Sequence, residues 1–326
     1  MCIRDRVNAS EDNSGNIDIN TNSLNVKDGA RLSANNSGIG KGGKVTINAT
    51  DNISFTHDSF ISVNASEDNA GNIDITTNSL IFSDGATLSA NNSGIGKGGN
   101  VTINATDNIS FTDDSRIGVI GSEGGSIDLA AKNLSLMSNS GFLAGIGINL
   151  GFIDARSGDI IINLTKDLVV DESGSISNNN FGTGNAGNIE ITARNISLTN
   201  GGNVDSFVNG LGNGGNIILN ATENILVDRN NNKELTGIAS LVQQKGKGIS
   251  GDITVNAQNL SLVNGASITT QVIGIGDSGN INIKVKDSVT IDGDTGERDS
   301  PDGTLRIFPS GIRSDAIGFG NSGDIT

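Results

Sequence analysis

A glycine recurs eleven times along this chain, usually followed by asparagine and then by Ile-x-Ile or a close variant. Successive copies are separated by 28, 28, 28, 26, 33, 29, 28, 36, 28 and 44 residues. A period of about 20–50 residues is the signature of a stacked architecture in which each repeat contacts only its neighbours. The repeating glycines are Gly15, Gly43, Gly71, Gly99, Gly125, Gly158, Gly187, Gly215, Gly251, Gly279 and Gly323.

Each repeat contains three short runs in which apolar and polar residues alternate. In the first repeat these runs contain Ile17 and Ile19, then Leu24 and Val26, and then Leu32. Alternation with a period of two predicts strands with one buried face, and the Gly, Asn, Asp and Ser between the runs favour turns. We therefore predict an all-β fold: a single-stranded parallel β-helix, or solenoid, with three short strands per coil of ~28 residues and about ten coils.

The glycine–asparagine corner predicts two local features. Glycine at this point indicates backbone angles that residues with a Cβ find costly. Asparagine follows the glycine in six of the eleven repeats, and we expect these side chains to hydrogen-bond along the stack. The first apolar residue after each corner is predicted to form a buried column, made of Ile17, Val45, Ile73, Val101, Ile127, Ile160, Ile189, Ile217, Ile253 and Ile281.

Composition and charge exclude several partners. The formal net charge is −15 and the isoelectric point is near 4.3, so nucleic acid and anionic membranes would be repelled. No apolar run is long enough to span a bilayer, and the single Cys2 excludes an intrachain disulfide framework. The low hydrophobic content of 34% suits a narrow core that is renewed coil by coil.

The repeats also suggest where the array begins and ends. Residues 7–62 and 63–118 align without a gap and are identical at 46 of 56 positions, which indicates a unit of two coils. Residues 1–6 match nothing in the array, and we expect a non-native or assembly-derived leader. Residues 7–326 form one continuous array without a capping repeat at either end, so we expect an excerpt of a longer protein.

Two repeats are enlarged, at residues 215–250 and 279–322. Their extra residues are expected at 228–248 and 292–309, and the second segment contains both prolines. Insertions in solenoids leave the stack as loops on one face, which is often the binding face. Specific recognition is therefore predicted in these two loops.

Several runs resemble filamentous-haemagglutinin-like exoproteins, especially the large Gly/Asn-rich cyanobacterial type. They are Gly-Asn-Val-Thr-Ile-Asn-Ala-Thr at 99–106 and the segment 33–43, and the segments 308–312 and 318–323 resemble a longer coil of the same group. The resemblance covers residues 7–326. It implies a right-handed parallel β-helix that is secreted by the two-partner route and displayed at a bacterial cell surface.

This resemblance defines the leading functional expectation. The chain would be a non-enzymatic structural shaft of a large secreted or cell-surface adhesin, presenting recognition loops away from the cell. The full-length protein would require an outer-membrane transporter of the two-partner type, and its receptor would be an unidentified host, cell-surface or matrix glycan or protein. The amino-terminal secretion domain of the family has no counterpart in this sequence.

Seven copies of Gly-x-Gly-x-x-Gly occur along the chain. A dinucleotide site requires this motif to open a helix after a strand, so that the helix N-terminus meets the pyrophosphate. Here each copy leads into the next predicted strand, which indicates corner turns and no cofactor. The copies begin at Gly38, Gly94, Gly182, Gly210, Gly246, Gly274 and Gly318.

Four carboxylates share the outward position of the first strand: Asp18, Asp74, Asp128 and Glu190. They are expected two coils apart, roughly 9–10 Å. Retaining glycosidases need about 5–5.5 Å between carboxyl groups and inverting ones about 6.5–9.5 Å. The row therefore predicts a solvated face with no catalytic residues.

Two other functional classes remain as alternatives. A surface polysaccharide-binding or matrix module would act through the flat repeated faces. A β-helix polysaccharide lyase or hydrolase is less favoured, because Lys and Arg are scattered, Trp and Tyr are absent, and Phe55, Phe82 and Phe111 fall at inward positions.

The sequence contains one candidate metal site and two further motifs. Asp292, Asp294, Glu297 and Asp299 form a candidate loop for a loosely bound Ca²⁺, although the run lacks the EF-hand pattern. His57 has no cysteine or second histidine nearby and is predicted to be an exposed turn residue. Asn-x-Ser/Thr triplets arise from the repeat itself and include Asn48, Asn104, Asn133, Asn163 and Asn259.

Overall fold

The chain folds into a stack of parallel β coils. The computed structural model describes residues 4–6, 12–146, 156–230, 235–299 and 305–326. These residues contain strands and turns but no helix, and the strands group roughly three to a coil over about nine turns. The predicted fold class is confirmed. At a strand spacing of about 4.8 Å, nine turns form a stack roughly 40–45 Å long.

The three strands of each coil form three columns. The first strands are Ile17–Thr21, Val45–Ala49, Ile73–Thr77, Val101–Ala105, Ile127–Ala131, Ile160–Leu164, Ile189–Ala193 and Ile217–Ala221. The second strands are Leu24–Val26, Asn52–Phe55, Ser79–Phe82, Asn108–Phe111, Asn133–Leu136, Asp167–Val170, Asn195–Thr199 and Asn224–Asp228. In the last two coils the first and second strands are continuous, as Ile253–Val263 and Ile281–Asp292.

The third column is a sheet of its own, separate from the 18-stranded sheet that contains the first and second columns. Eleven strands pair in parallel through it, and each strand between the two end strands is hydrogen-bonded to the coils before and after. It includes Arg4–Arg6, which pairs with Arg31–Ser33. The strands are Arg4–Arg6, Arg31–Ser33, Phe60–Ser62, Thr87–Ser89, Arg116–Gly121, Gly141–Ile146, Ser175–Asn180, Asn203–Val208, Gly237–Val242, Ser267–Val272 and Gly311–Ala316.

The core is a set of aliphatic and aromatic columns. All ten residues of the predicted column from Ile17 to Ile281 are buried. Phe55, Phe82 and Phe111 stack on consecutive coils with ring centroids 4.8 Å apart, and Phe142 meets Phe111 edge-on at 5.0 Å. The inward assignment of these phenylalanines is confirmed. Stacked and edge-to-face rings add stability beyond the area they bury.

The repeated glycine is required for a different reason from the one predicted. The corner glycines do not have left-handed backbone angles. Instead, each one from Gly43 onward lies directly over the corner glycine of the preceding coil. A Cβ on Gly99 would overlap the carbonyl oxygen of Gly71, and a Cβ on Gly71 would overlap that of Gly43. Left-handed angles occur at the second glycine of the later Gly-x-Gly-x-x-Gly runs. These residues are Gly184, Gly212, Gly248, Gly276 and Gly320.

Both enlarged repeats leave the stack at the corner between the second and third strands. In the first, Gly237–Val242 is a regular third strand within the predicted segment 228–248. Extra residues precede this strand, at 229–236, and two more follow it, between Val242 and Lys247. In the second, Asp294–Asp299 and Leu305–Pro309 pair antiparallel as a projecting hairpin. The two insertions therefore leave the same corner of the stack.

Replacing Gly99 with alanine is expected to lower the unfolding free energy by about 1–3 kcal/mol, because the added methyl group forces neighbouring coils apart. Gly118→Ala is the matched control. A Cβ there would meet only the Asn91 side chain, at 3.6 Å. Urea unfolding followed by circular dichroism measures the difference. Equal midpoints for the two variants would contradict the contact explanation.

Candidate functional surfaces

Side-chain oxygens form a ladder along the corner that precedes the first strand. At the position after the repeated glycine, an Asn or Asp Oδ1 accepts the backbone N–H of the equivalent residue in the next coil, at 2.6–3.1 Å. The sequence predicted bonding between side chains, whereas the structure pairs side chain with backbone. The accepting residues are Asn16, Asn72, Asn100, Asp159, Asn188, Asn216, Asp252 and Asn280.

A second ladder runs parallel to the first, three residues earlier in the chain. It uses the same pairing of side-chain Oδ1 with backbone N–H, at 2.7–3.0 Å. These bonds satisfy backbone donors at a corner where the sheet ladder is interrupted. The accepting residues are Asn13, Asn69, Asn185, Asn213 and Asp277.

Buried hydroxyl groups accept hydrogen bonds from the corner glycines in the carboxy-terminal coils. In the early coils the corner glycine donates to a backbone oxygen, as Gly43 does to Ala34 at 2.8 Å. In later coils a serine side chain accepts this bond: Ser206 from Gly215 at 3.0 Å, and Ser240 from Gly251 at 2.7 Å. The sequence repeat does not predict this role for the serines. Their signal is a serine or threonine 9–11 residues before the glycine.

Asn100→Ala is expected to cost about 0.5–1.5 kcal/mol and to speed hydrogen exchange at the Ser126 amide, which loses its acceptor. Asn104→Ala is the control, because in the described part of the chain its carboxamide has no hydrogen-bond partner. Amide exchange followed by mass spectrometry or NMR compares the two variants. Unchanged protection of Ser126 in Asn100→Ala would contradict the ladder.

The outward carboxylates of the first strands are spaced as predicted. Thr46, Thr102 and Ile161 lie between them on the intervening coils. Lys44 Nζ lies 2.6 Å from Asp74 Oδ2, and Ser126 donates its hydroxyl to Asp128. The strand register therefore brings no two members of this row onto adjacent coils.

Ion pairs connect neighbouring coils. Lys44 with Asp74, Lys97 with Glu123, Lys132 with Asp107 and Arg194 with Asp167 each join residues one coil apart. The hydrogen bonds from the Arg194 guanidinium hold the pKa of Asp167 below its usual value. Asp74 raises the pKa of Lys44 in the same way. Because these pairs are exposed, each contributes little to stability on its own.

The Gly-x-Gly-x-x-Gly runs and His57 lie where the sequence placed them. The runs turn the corner between the third strand and the next first strand, and no helix follows any of them in the described residues. His57 is an exposed turn residue with a left-handed φ of 54°, and its Nδ1 lies 3.8 Å from Asp84 Oδ2.

The calcium hypothesis remains a prediction. Asp292 is exposed at the end of its strand, whereas the side chains of Asp294, Glu297 and Asp299 lie outside those that the structure describes. The backbone of these three residues belongs to the projecting hairpin. Among the described residues, no three His, Cys, Asp or Glu side chains converge on a point that could hold a metal ion.

An open depression interrupts the flat face near the corner between the first and second strands. Its volume is about 600 Å³. On the first-strand register Ala130 lies between Asn104 and Asn163, so a methyl group separates two longer side chains. The polar rim includes Thr106 and Thr165. The signal in the sequence is an alanine where neighbouring repeats carry asparagine or threonine.

Asp205 is a buried carboxyl group in the third column. It is 5% exposed, and its Oδ1 has no hydrogen-bond partner among the residues described. Burial raises the pKa of Asp205 to about 7, against the opposing effect of a hydrogen bond from Ser177. The neutral form is therefore favoured in the folded chain below about pH 7.

Stability is expected to fall as the pH rises from about 4 to about 7. In this interval the folded chain retains the Asp205 proton while the unfolded chain has lost it, so deprotonation favours unfolding. A shift from 3.8 to about 7 corresponds to at most about 4 kcal/mol. The stabilisation is complete below about pH 4 and is lost above about pH 7.

Asp205→Asn should remove this component, and Glu190→Gln, at an exposed site, should retain it. Urea unfolding of the wild type and both variants between pH 4 and pH 8 provides the measurement. A pH profile of Asp205→Asn that parallels the wild type would contradict the assignment.

The fold of this chain is the basis on which its function is interpreted. No known protein family, curated protein or solved structure matches the chain. In the described part of the chain, no helix has the length and apolar character needed to cross a membrane. The parallel β-solenoid repeat is thus established by the structure itself.

Proposed function

We propose that this chain is a non-enzymatic shaft segment of a larger secreted or cell-surface exoprotein of the adhesin type. The observation that carries the proposal is the third column, in which ten consecutive strands of the repeat array pair in parallel from Arg31–Ser33 to Gly311–Ala316. A solenoid whose coils contact only their neighbours can be lengthened coil by coil without changing its cross-section. Such a rod is suited to holding a terminal or inserted element at a distance.

Three sets of interactions resist bending of this rod. The hydrogen bonds of the sheet columns, the oxygen ladders and the packing of the core all join neighbouring coils. Bending the rod must therefore stretch several of these interactions together. The projecting hairpin leaves the stack at one corner and offers a surface outside the repeat. We propose that receptor contact, with a surface or matrix glycan or protein, is made there or at a distal element.

The export route is proposed from sequence resemblance. The similarity of residues 7–326 to filamentous-haemagglutinin-like exoproteins supports two-partner secretion and display on a bacterial surface. The parallel β-solenoid is compatible with a β-helix repeat protein. An outer-membrane transporter would then be the partner of the full-length protein.

Polysaccharide binding is the second candidate function. The depression over Ala130 favours it, because a small apolar floor with Asn and Thr at its rim can contact one apolar face of a sugar and its hydroxyl groups. In this case the flat face itself, and not the hairpin, would carry recognition.

Deleting residues 63–118 from the full-length protein tests the shaft function. This segment is a near-copy of residues 7–62, so two coils are removed and the new junction repeats an existing one. We expect small-angle X-ray scattering of the purified chain to show shortening by about 9–10 Å. Adhesion of cells that display the deleted protein should be retained.

A second deletion, of residues 294–308, removes the hairpin as a comparison. Adhesion lost with this deletion and retained with the first supports recognition outside the shaft. Adhesion lost on removing residues 63–118 from a chain that still folds would favour the polysaccharide-binding alternative. Cleavage of a uronate polysaccharide by the purified chain would disprove the non-enzymatic proposal.

A further inference from the structure

Asparagine is followed directly by glycine at four places in the chain, and the structure describes all of them. In such a pair the backbone nitrogen of the glycine can attack the asparagine side chain, because glycine has no Cβ to obstruct the approach. The attack requires a glycine N–H that is not hydrogen-bonded and a carboxamide that is free to turn toward it. The pairs are Asn200–Gly201, Asn209–Gly210, Asn213–Gly214 and Asn264–Gly265.

In two of these pairs, both reactive groups are held by hydrogen bonds to neighbouring coils. The glycine N–H donates to a hydroxyl oxygen at 2.7–2.9 Å, and the asparagine carboxamide donates to a carboxylate at 2.8 Å. These bonds must break before the nitrogen can attack, so the two pairs are protected. The bonds run from Gly201 to Thr236, from Gly265 to Ser310, from Asn200 to Asp171 and from Asn264 to Asp228.

The third pair is held by a single residue of the next coil. Asn213 Oδ1 accepts the N–H of Ile249 at 3.0 Å, as part of the second oxygen ladder. Gly214 donates its N–H to the Ile249 carbonyl oxygen at 2.8 Å. This pair is protected although Asn213 is exposed, which shows that exposure alone does not distinguish the four pairs.

The fourth pair, Asn209–Gly210, has neither restraint. Asn209 is exposed, and within the described part of the chain neither its carboxamide nor the Gly210 N–H makes a hydrogen bond. At equivalent corners this glycine donates to an asparagine side chain two residues earlier, at 2.8 Å. Val208 takes the place of that asparagine here, so the acceptor is absent. The bonded corners are Asn36 with Gly38, Asn92 with Gly94 and Asn180 with Gly182.

We propose that Asn209 is a site of spontaneous deamidation on the folded rod. The Gly210 nitrogen forms a bond to Asn209 Cγ, the bond from Cγ to Nδ2 breaks, and Nδ2 leaves as ammonia with the proton of the glycine nitrogen. Water then opens the resulting succinimide. Cleavage between the nitrogen and Cγ gives aspartate, and cleavage between the nitrogen and the main-chain carbonyl carbon gives isoaspartate.

The isoaspartate product lengthens the backbone by one atom inside a corner that is bonded on both sides. Asn209 donates its N–H to Asn180 O at 2.8 Å, and Leu211 donates its N–H to Gly182 O at 2.9 Å. The added atom strains these bonds, so isoaspartate formation is expected to speed hydrogen exchange at the Leu211 amide. The proposal is independent of the shaft function, since it depends only on the bonding of one corner.

Incubation of the purified folded chain at neutral pH is the first test. Peptide mapping by mass spectrometry follows deamidation at all four asparagines, and an isoaspartate methyltransferase with labelled S-adenosylmethionine detects isoaspartate. Asn209 is expected to react faster than Asn200, Asn213 and Asn264 in the folded chain, whereas all four should react at similar rates in urea. Reaction at Asn209 that is no faster than at the other three in the folded chain would overturn the proposal.

Val208→Asn provides the second test, because it restores the acceptor for the Gly210 N–H. Deamidation of Asn209 is expected to slow roughly two- to tenfold, since a net hydrogen bond must first be broken. Val208→Ala is the matched control: it removes the same buried side chain without adding an acceptor, and should not slow the reaction. Slow reaction at Asn213 in both variants verifies that the corner is folded. An undiminished rate at Asn209 in Val208→Asn, with Asn213 still protected, would contradict the assignment.

Discussion

Direct contact between the backbones of successive coils at the glycine corner is the constraint on which the structure depends. Each corner glycine lies over the carbonyl oxygen of its equivalent in the coil before, where a Cβ has no room. This contact lets the chain turn while its coils remain at the spacing of a β-sheet. With the register fixed at one point per coil, equivalent residues in the following strands align throughout the stack, including the column of Phe55, Phe82 and Phe111.

The oxygen ladders follow from that register and explain why aspartate can replace asparagine in them. Only the side-chain Oδ1 is used, as an acceptor for a backbone N–H, so Asp159 and Asp252 function as Asn188 does. The ladder is interrupted where the position holds Lys44 or Ser126, which present no equivalent carbonyl oxygen. Part of the negative charge of the chain therefore has a structural role, because a carboxylate accepts this hydrogen bond as well as a carboxamide does.

Features with a strict sequence period were predictable, and features that depend on contact between coils were not. Period-two alternation gave the three strands, the inward phenylalanines and the two-coil spacing of Asp18 and Asp74. The sequence led us to assign the glycine to backbone angles, because nothing in one repeat shows how closely the next approaches. Asp205 was missed for a similar reason, since its burial follows from tertiary packing. The hairpin could not be derived because its residues have no counterpart in other repeats.

Function in such a stack arises where one coil departs from the pattern. A coil held on both sides by hydrogen bonds, ladders and core contacts tolerates a local change, because most of its stability comes from its neighbours. Ala130 opens a depression without disturbing the strands beside it, and the hairpin projects while Gly311–Ala316 stays in register. A uniform solenoid would offer the same surface at every coil. The departures give particular coils their own chemistry, and the regular coils between them set the distances at which that chemistry is presented.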